Sequence, residues 1–449
     1  MIRDKQFYRR FFAMFIVLVL QQVITLSVNL ADNLMLGAYS ESALSGAAAV
    51  NQIQFVYQQI MLAFGEGIVV LGTQYFGKGK MQPIKKVASI AMRFGVCAAI
   101  ILFFLVSFFP AQAISIFTND QTIIAAGSEY LKIIRFTYFF FAVTQILLAT
   151  LRSTGIVNIA LGLSVISLIV NCCINYTLIY GHFGAPELGI TGAAIGTLTA
   201  RIIELIVLLF FIKYREKNLH LKLRDYRSFD KLLFGDYVKV MGPLLFVNSM
   251  WGFNNAAQNA ILGHMTARAI AANSVASTLF LMVKSGAQGA CGTASFFIGR
   301  TIGEGSMDKL KSYAKTLQVM FVGIGIFAGI ILFLIRIPIL GIYNLEPETK
   351  AMANQFLLIL SVIVVTMSYQ MPTNAGIIKG GGDTKYCMKL DLISIWCIVL
   401  PVSFLLAFVF HASPVAVVIM LNSDQAFKCV PAFIKVNYGH WAKKLTRDE

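Results

Sequence analysis

The sequence predicts an all-α membrane protein with twelve transmembrane helices, arranged as two parallel, pseudo-symmetric lobes of six helices each. Three observations support this prediction: the composition, the spacing of the apolar runs and an internal repeat. Of the 449 residues, 57% are apolar and only 13% are charged, whereas about a quarter of the residues in a soluble domain are charged. The chain therefore belongs in a lipid bilayer.

Twelve apolar runs are each long enough to cross the hydrocarbon core, which takes about 20 helical residues. In the first half of the chain they lie at about 11–36, 51–73, 87–110, 131–151, 157–180 and 190–212. In the second half they lie at about 240–262, 270–298, 316–340, 352–378, 387–410 and 413–434. We accordingly predict an N-lobe of helices one to six at residues 1–222 and a C-lobe of helices seven to twelve at residues 223–449.

Basic residues gather in alternate connections between these runs. Arg9 and Arg10 before the first run, Lys85 and Lys86 after the second, and the tail around Lys443 all fall on one side of the membrane. Loops rich in Lys and Arg stay in the cytoplasm. We therefore predict a multi-pass protein of the plasma (inner) membrane with both termini in the cytoplasm.

Several other classes of protein are disfavoured by the same sequence. The net charge of +16 is spread over the connections instead of forming one basic face, so no nucleic-acid partner is predicted. The seven cysteines contain no Cys-x-x-Cys pair, which argues against a metal cluster. All five histidines lie in or beside predicted loops, so the acid, base and metal ligands of an enzyme do not converge. We expect neither an enzyme nor a cofactor.

An internal repeat relates the two halves. Gly77-x-Gly79-x-Met81 recurs as Gly303-x-Gly305-x-Met307, an offset of 226 residues, and the same offset carries Leu36-Gly37 onto Leu262-Gly263. At an offset of 227, Arg152-x-x-Gly155 falls on Lys379-x-x-Gly382. Each half holds six predicted helices, so both halves enter the membrane in the same sense.

Five short motifs follow one another at the ends and middles of the predicted helices. They are Asp32-x-x-Met35-x-Gly37, Gly72-Thr73-Gln74-x-x-Gly77, Arg152-Ser153-x-Gly155, Asn171-x-x-x-Asn175 and Leu188-Gly189-Ile190-x-Gly192-Ala193-Ala194. In this order they resemble the multidrug and toxic compound extrusion (MATE) family over nearly the whole chain. The resemblance implies a secondary active antiporter that exports drugs or other small organic compounds in exchange for H+ or Na+ by alternating access.

The resemblance also implies a cation-coupling acid at Asp32. Asn171 and Asn175 lie one helical turn apart and offer amide oxygens, and Thr197 adds a hydroxyl. A carboxylate with such oxygens suits a proton carrier or a Na+ site at Asp32, Asn171 and Asn175. The alternative is that Asp32 caps the outer end of helix one, because about 21 residues from Phe11 nearly complete a crossing.

Acids in the second half are weaker candidates for coupling. One branch of the resembled family uses an acid in its C-lobe helices, where this chain offers Asp391 and Asp424. Lys428 follows Asp424 by four residues, so a local ion pair is expected there. We therefore favour coupling in the N-lobe.

Other polar residues within the predicted helices are candidates for a substrate cavity, because ionisable groups in a span are costly unless they are paired or face water. The candidates are Glu66, Lys284, Asn255, Gln258 and Tyr369. Their alternative role is interhelical pairing. Arg201 and Glu204 stand three residues apart on one helix, which favours a structural pair.

The main alternative function is a flippase for a lipid-linked oligosaccharide or a related amphipathic substrate. Such a protein would need a strongly cationic cavity, and Lys284 is the only midspan cation here without an acid three or four residues away. We expect a monomer whose partners are membrane lipid and a small-molecule substrate. The sequence leaves open the identity of that substrate and the choice between H+ and Na+.

Overall fold

The computed structural model describes residues 2, 4–118, 120–216, 219–222, 225–226, 229–265, 267–342 and 346–447. Every regular element within these residues is helical, which confirms the predicted all-α class. Long apolar runs favour helices in a bilayer because a helix satisfies its backbone hydrogen bonds internally.

The first half of the chain forms eight helices. These are α1 (Lys5–Tyr39), α2 (Glu41–Gly77), α3 (Met81–Phe108), α4 (Pro110–Ser115), α5 (Gln121–Ile134), α6 (Thr137–Ser153), α7 (Asn158–Tyr180) and α8 (Ile190–Tyr214). A short 3-10 turn, His182–Gly184, precedes α8.

The second half forms nine helices, several of which continue one another. These are α9 (Lys231–Met265), α10 (Ala267–Gly303), α11 (Met307–Ile342), α12 (Pro347–Met371), α13 (Thr384–Asp391), α14 (Leu400–Phe408), α15 (Pro414–Leu421), α16 (Asp424–Phe427) and α17 (Cys429–Tyr438). The π-helical segments Pro372–Ile378 and Leu392–Val399 follow α12 and α13.

Within the described residues, twelve helical segments have the length that a membrane crossing requires, and ten of them are also sufficiently apolar. Among the described residues, nine helical runs are long and apolar enough to cross a membrane, and α5 with α6 adds a tenth that is bent by 54°. The remaining two, α9 and α10, span 35 and 37 residues. Both exceed the length that a crossing requires, although polar residues such as Asn254 and Gln258 interrupt the apolar character of α9.

The fourth predicted helix differs from the structure. We predicted a single span at 131–151, whereas the chain forms α5 and α6 with a break at Arg135 and Phe136. Helix α5 begins ten residues earlier, at Gln121, because the Asp120 side chain accepts a hydrogen bond from the Thr122 backbone N–H and caps it. A hydropathy argument misses this amphipathic turn.

The chain divides into two compact units. The first-half unit comprises Leu20–Gly72 and Lys80–Met241, and the second-half unit comprises Met1–Val19, Thr73–Gly79 and Gly242–Glu449. The predicted lobes, 1–222 and 223–449, meet at residue 223, which lies outside the described residues. Their boundary therefore stays a prediction.

The repeated glycines share their backbone conformations. Gly79 and Gly305 have φ of 72° and 74°, and Gly155 and Gly382 have φ of 83° and 98°. These left-handed conformations follow helix ends, where glycine has no steric penalty. Both registered glycine pairs of the sequence repeat thus recur as matching turns.

A third pair of repeated glycines, Gly77 and Gly303, packs directly against backbone. A Cβ on Gly77 would lie 2.1 Å from the Arg300 carbonyl oxygen, and a Cβ on Gly303 would lie 2.0 Å from the Gln74 carbonyl oxygen. The offset of 226 residues carries one contact onto the other. Only glycine permits this close approach, which explains why the motif recurs.

Candidate functional site

Four predicted coupling residues form one hydrogen-bonded chain in the first-half unit. The Asn175 Nδ2 donates to Asp32 Oδ1 at 2.6 Å and lies 3.1 Å from Asn171 Oδ1. Asn171 Nδ2 in turn donates to Thr197 Oγ1 at 3.4 Å. The structure therefore brings together Asp32 of α1, both asparagines of α7 and Thr197 of α8, while their role in coupling stays a prediction.

Helices α7 and α8 hold this chain because they approach closely at two glycines. A Cβ on Gly192 would lie 2.7 Å from the Leu178 carbonyl oxygen, and a Cβ on Gly196 would lie 2.1 Å from Asn175 Oδ1. Asn171 and Asn175 are 1% and 0% exposed. Asn175 Oδ1 has no hydrogen-bond partner among the described residues, so its position is fixed by the amide nitrogen and by packing on Gly196.

A cavity of about 40 Å³ adjoins Asp32. This volume holds roughly three water molecules. Asn171, Thr197 and Arg201 line it, together with polar side chains from α1, α2 and α6: Asn29, Asn51, Gln54, Gln58, Tyr57 and Tyr138. Asp32 thus lies beside a small polar space within the unit, while the choice between a coupling acid and a helix cap stays a prediction.

Arg201 and Glu204 form the predicted ion pair on α8. Arg201 Nη1 lies 2.6 Å from Glu204 Oε2, and the two side chains are 22% and 8% exposed. The Arg201 guanidinium also lies 5.4 Å from the centre of the Phe141 ring. The pair is confirmed, and in addition its arginine faces the cavity and lies within electrostatic range of Asp32.

Sequence reasoning missed three tyrosines at this site. The Tyr57 hydroxyl donates to the Tyr138 carbonyl oxygen at 2.8 Å, while Tyr130 and Tyr138 line the cavity. The buried Tyr138 hydroxyl has no hydrogen-bond partner among the described residues. The available signal was a polar group in or beside an apolar run, which the prediction used for Tyr369 but not for these three tyrosines.

The five predicted substrate-cavity residues do not line this cavity. Glu66 lies within electrostatic range of Arg152 in the first-half unit, and the other four lie in the second-half unit. Lys284 Nζ is 4.8 Å from the centre of a Trp251 ring. Gln258 Nε2 donates to Asn254 Oδ1 at 3.2 Å, and the Tyr369 hydroxyl donates to Gln318 Oε1 at 2.8 Å. Asn255 is exposed. Their common cavity stays a prediction.

Asp391 and Asp424, the two candidate coupling acids of the second half, both pair with one lysine. Lys428 Nζ lies 3.0 Å from Asp424 Oδ2, which confirms the predicted local pair, and 2.7 Å from Asp391 Oδ1. Lys428 and Asp424 are buried, with side chains 4% and 7% exposed. A buried lysine between two carboxylates neutralises charge and joins α13 to α16.

Comparison with known proteins decides the family. The MatE family model matches residues 18–177 and again residues 243–405. The chain belongs to the MatE family. The two matched stretches repeat the same model in the two halves, as the internal repeat predicts, and the resemblance to MATE transporters is confirmed.

Curated MATE relatives cover the chain almost completely. It is 25% identical to the "Probable multidrug resistance protein NorM" of Thermotoga maritima, over 95% of this chain and 92% of that protein. It is 27% identical to the multidrug resistance protein MdtK of Pectobacterium atrosepticum, over 89% of this chain and 87% of that protein. The chain is thus a multi-pass member of a family of multidrug efflux transporters.

Solved MATE structures share the two-lobe fold. An outward-facing multidrug resistance MATE transporter of the MOP superfamily superposes with a TM-score of 0.86 at 15% identity, covering 95% of this chain and 94% of that one. The Vibrio cholerae MATE transporter VcmN in its bent form gives 0.83 at 15% identity, covering 96% of each chain. These likenesses confirm the predicted architecture.

Proposed function

We propose that this chain is a secondary active antiporter that exports drugs or other small organic compounds in exchange for H+ or Na+. The observation that carries the proposal is the hydrogen-bonded chain of Asp32, Asn175, Asn171 and Thr197 beside a polar cavity. A lone carboxylate in a membrane-embedded interior is costly, and it is retained where ions or protons move. We place the protein in the inner membrane with both termini in the cytoplasm.

Asp32 is the proposed coupling residue. A carboxyl group favours its neutral form when it is desolvated and its charged form when donors or cations approach. Asn175 supplies such a donor at 2.6 Å, and the cavity supplies room for water. A change in access to this cavity would therefore change the affinity of Asp32 for its cation, which is the requirement for coupling.

Glu66, Lys284, Asn255, Gln258 and Tyr369 are the proposed substrate contacts. Lys284 already faces an aromatic ring at 4.8 Å, an arrangement in which a flat substrate can replace either partner. Glu66 offers an acid for a cationic substrate. The opposite charges of Glu66 and Lys284 suit compounds that carry both signs or a delocalised charge.

The test is ethidium or norfloxacin efflux from everted vesicles, with pH and Na+ gradients imposed separately. Asp32→Asn keeps the shape of the side chain but removes its titration, so gradient-driven efflux should be lost while the protein stays folded and still binds substrate. Asp308→Asn is the matched control, because Asp308 is an exposed acid in the first turn of α11.

Two results would contradict the proposal. Wild-type efflux by Asp32→Asn would make Asp32 a structural residue and Glu66 the leading candidate for coupling. Absence of efflux by the wild-type protein under both gradients would reject antiport and favour the flippase alternative.

A further inference from the structure

The C-terminal tail, residues 439–447, follows α17 without forming a helix of its own. It lies within the second-half unit and contacts two features there. One is the end of α2, Thr73–Gly79, and the other is the loop 380–383 that precedes α13.

The contact with α2 uses both atoms of one buried amide. Gln74, which is fully buried, donates from Nε2 to the Lys443 carbonyl oxygen at 3.0 Å and accepts at Oε1 from the Leu445 N–H at 2.8 Å. Further along, Lys78 Nζ donates to the Arg447 carbonyl oxygen at 3.1 Å. Side chains at the end of α2 therefore bind three backbone groups of the tail, one each on Lys443, Leu445 and Arg447.

The contact with the loop combines packing and charge. The Lys443 N–H donates to the Gly381 carbonyl oxygen at 2.8 Å, and the Lys443 ammonium donates to Asp383 Oδ1 at 2.7 Å. Trp441 is only 5% exposed, and a Cβ on Gly381 would come within 2.5 Å of its ring. The loop thus packs against the Trp441 indole through Gly381 and pairs with the Lys443 ammonium through Asp383.

The tail binds α2 close to the point where this helix passes from one compact unit to the other. Residues Glu41–Gly72 of α2 belong to the first-half unit, while Thr73–Gly79 belong to the second-half unit. Alternating access moves one part of a transporter against another. If alternating access operates in this chain, either α2 bends near Gly72 or the end of α2 leaves the second-half unit. The hydrogen bonds between the tail and Gln74 oppose the departure of the end of α2.

We propose that the tail 439–447 is a strap that holds the end of α2 in one transport state and releases it during each cycle. The inference rests on the proposed function, because a release in each cycle has a purpose only in an alternating transporter. The residue that the internal repeat pairs with Gln74 has a different hydrogen-bond partner. Arg300, which the 226-residue offset pairs with Gln74, donates instead to Glu304 at 2.8 Å.

Crosslinking tests whether the strap has to move. The substitutions Lys78→Cys and Arg447→Cys, made in a chain whose seven native cysteines are replaced and whose efflux matches wild type, allow a short reducible crosslinker to join strap and helix. Ethidium efflux under the driving gradient should fall to the leak rate of empty vesicles after crosslinking. A reductant should restore it.

The matched control joins the strap to the loop, with Asp383→Cys and Lys443→Cys. In the proposed cycle the strap separates from α2 but stays attached to the loop. A crosslink between strap and loop should therefore leave efflux unchanged. The proposal is overturned if the Lys78/Arg447 crosslink, verified by mass spectrometry, leaves efflux unchanged, or if the control crosslink stops it equally. Absence of gradient-driven efflux before any crosslinking would overturn the proposed function, and the strap with it.

Discussion

Gly196 offers the sharpest test of the Asp32 site, because it lies directly against the Asn175 amide. In Gly196→Ala, the new Cβ would start 2.1 Å from Asn175 Oδ1, whereas ordinary van der Waals contact begins at 3.4 Å. The Asn175 side chain must therefore retreat by roughly an ångström or α7 must separate from α8.

The hydrogen bond to Asp32 does not survive such a movement. It measures 2.6 Å now, and a donor and acceptor about 3.6 Å apart no longer form a hydrogen bond. A hydrogen bond to a charged group contributes about 1.5–3 kcal/mol, which corresponds to roughly 10- to 150-fold in an equilibrium constant. We expect Gly196→Ala to lower gradient-driven ethidium efflux by at least about tenfold.

The assay is the initial rate of efflux from everted vesicles at matched protein levels. Gly162→Ala on α7 is the matched control, since a Cβ there would meet nothing within 4 Å. Its helix should gain up to about 1 kcal/mol from the better helix former, and efflux should stay at the wild-type rate. A thermal unfolding scan of each purified variant separates loss of the site from loss of the fold.

A double mutant decides the mechanism. In an Asn175→Ala background, Gly196→Ala has no amide oxygen to displace, so it should cause no further loss of efflux. If Gly196→Ala slows efflux by the same factor in both backgrounds, the effect does not pass through Asn175 and the reasoning is refuted. An unchanged rate in the single variant would refute it as well.

Three further predictions concern stability, each measured by thermal unfolding in detergent. Two lysine ammonium groups beside Asp383 outweigh its burial and hold its pKa below the ordinary value, so Asp383→Asn should lower Tm at pH 7. The loss relative to wild type should vanish as the pH falls below about 4 and through the folded pKa, because the stabilisation exists only while Asp383 is charged. Arg201→Gln leaves Glu204 as an unpaired buried carboxylate and should cost about 3–5 kcal/mol, most of which the double substitution with Glu204→Gln should recover. Lys428→Met leaves two carboxylates without their cation and should cost a similar amount of about 3–5 kcal/mol, whereas an unchanged Tm would show that both acids are already neutral.

Much of the fold could be predicted because the bilayer restricts the choice to helices of known length. The repeat also indicated that the two halves are equivalent, and four of its glycines, Gly79, Gly155, Gly305 and Gly382, adopt left-handed conformations that strain any other residue. Gly79 and Gly305, for example, have φ within two degrees of each other. Backbone sterics of this kind are the same in both halves and therefore leave a trace in the sequence.

Other features depend on contacts that a sequence pattern does not contain. The start of α5 depends on a side-chain cap at Asp120, and the bend of 54° between α5 and α6 leaves no trace in hydropathy. Tyr57 and Tyr138 enter the site through long-range packing. The tail was predicted only as a basic flank, although Trp441 is buried, because its partners lie far away in the chain.

The candidate site itself illustrates where the repeat stops being informative. The 226-residue offset that pairs the glycines also pairs Asp32 with Gln258, and Gln258 donates to Asn254 of its own helix. The acids of the second half, Asp391 and Asp424, both pair with Lys428. Polar side chains can diverge between repeats because no backbone constraint fixes them, whereas a buried carboxylate with amide partners is costly and persists only where it serves a function. The two halves therefore share their repeated glycines but not the carboxylate at the position of Asp32. The half whose carboxylate is hydrogen-bonded to Asn175 is the half in which we propose cation coupling.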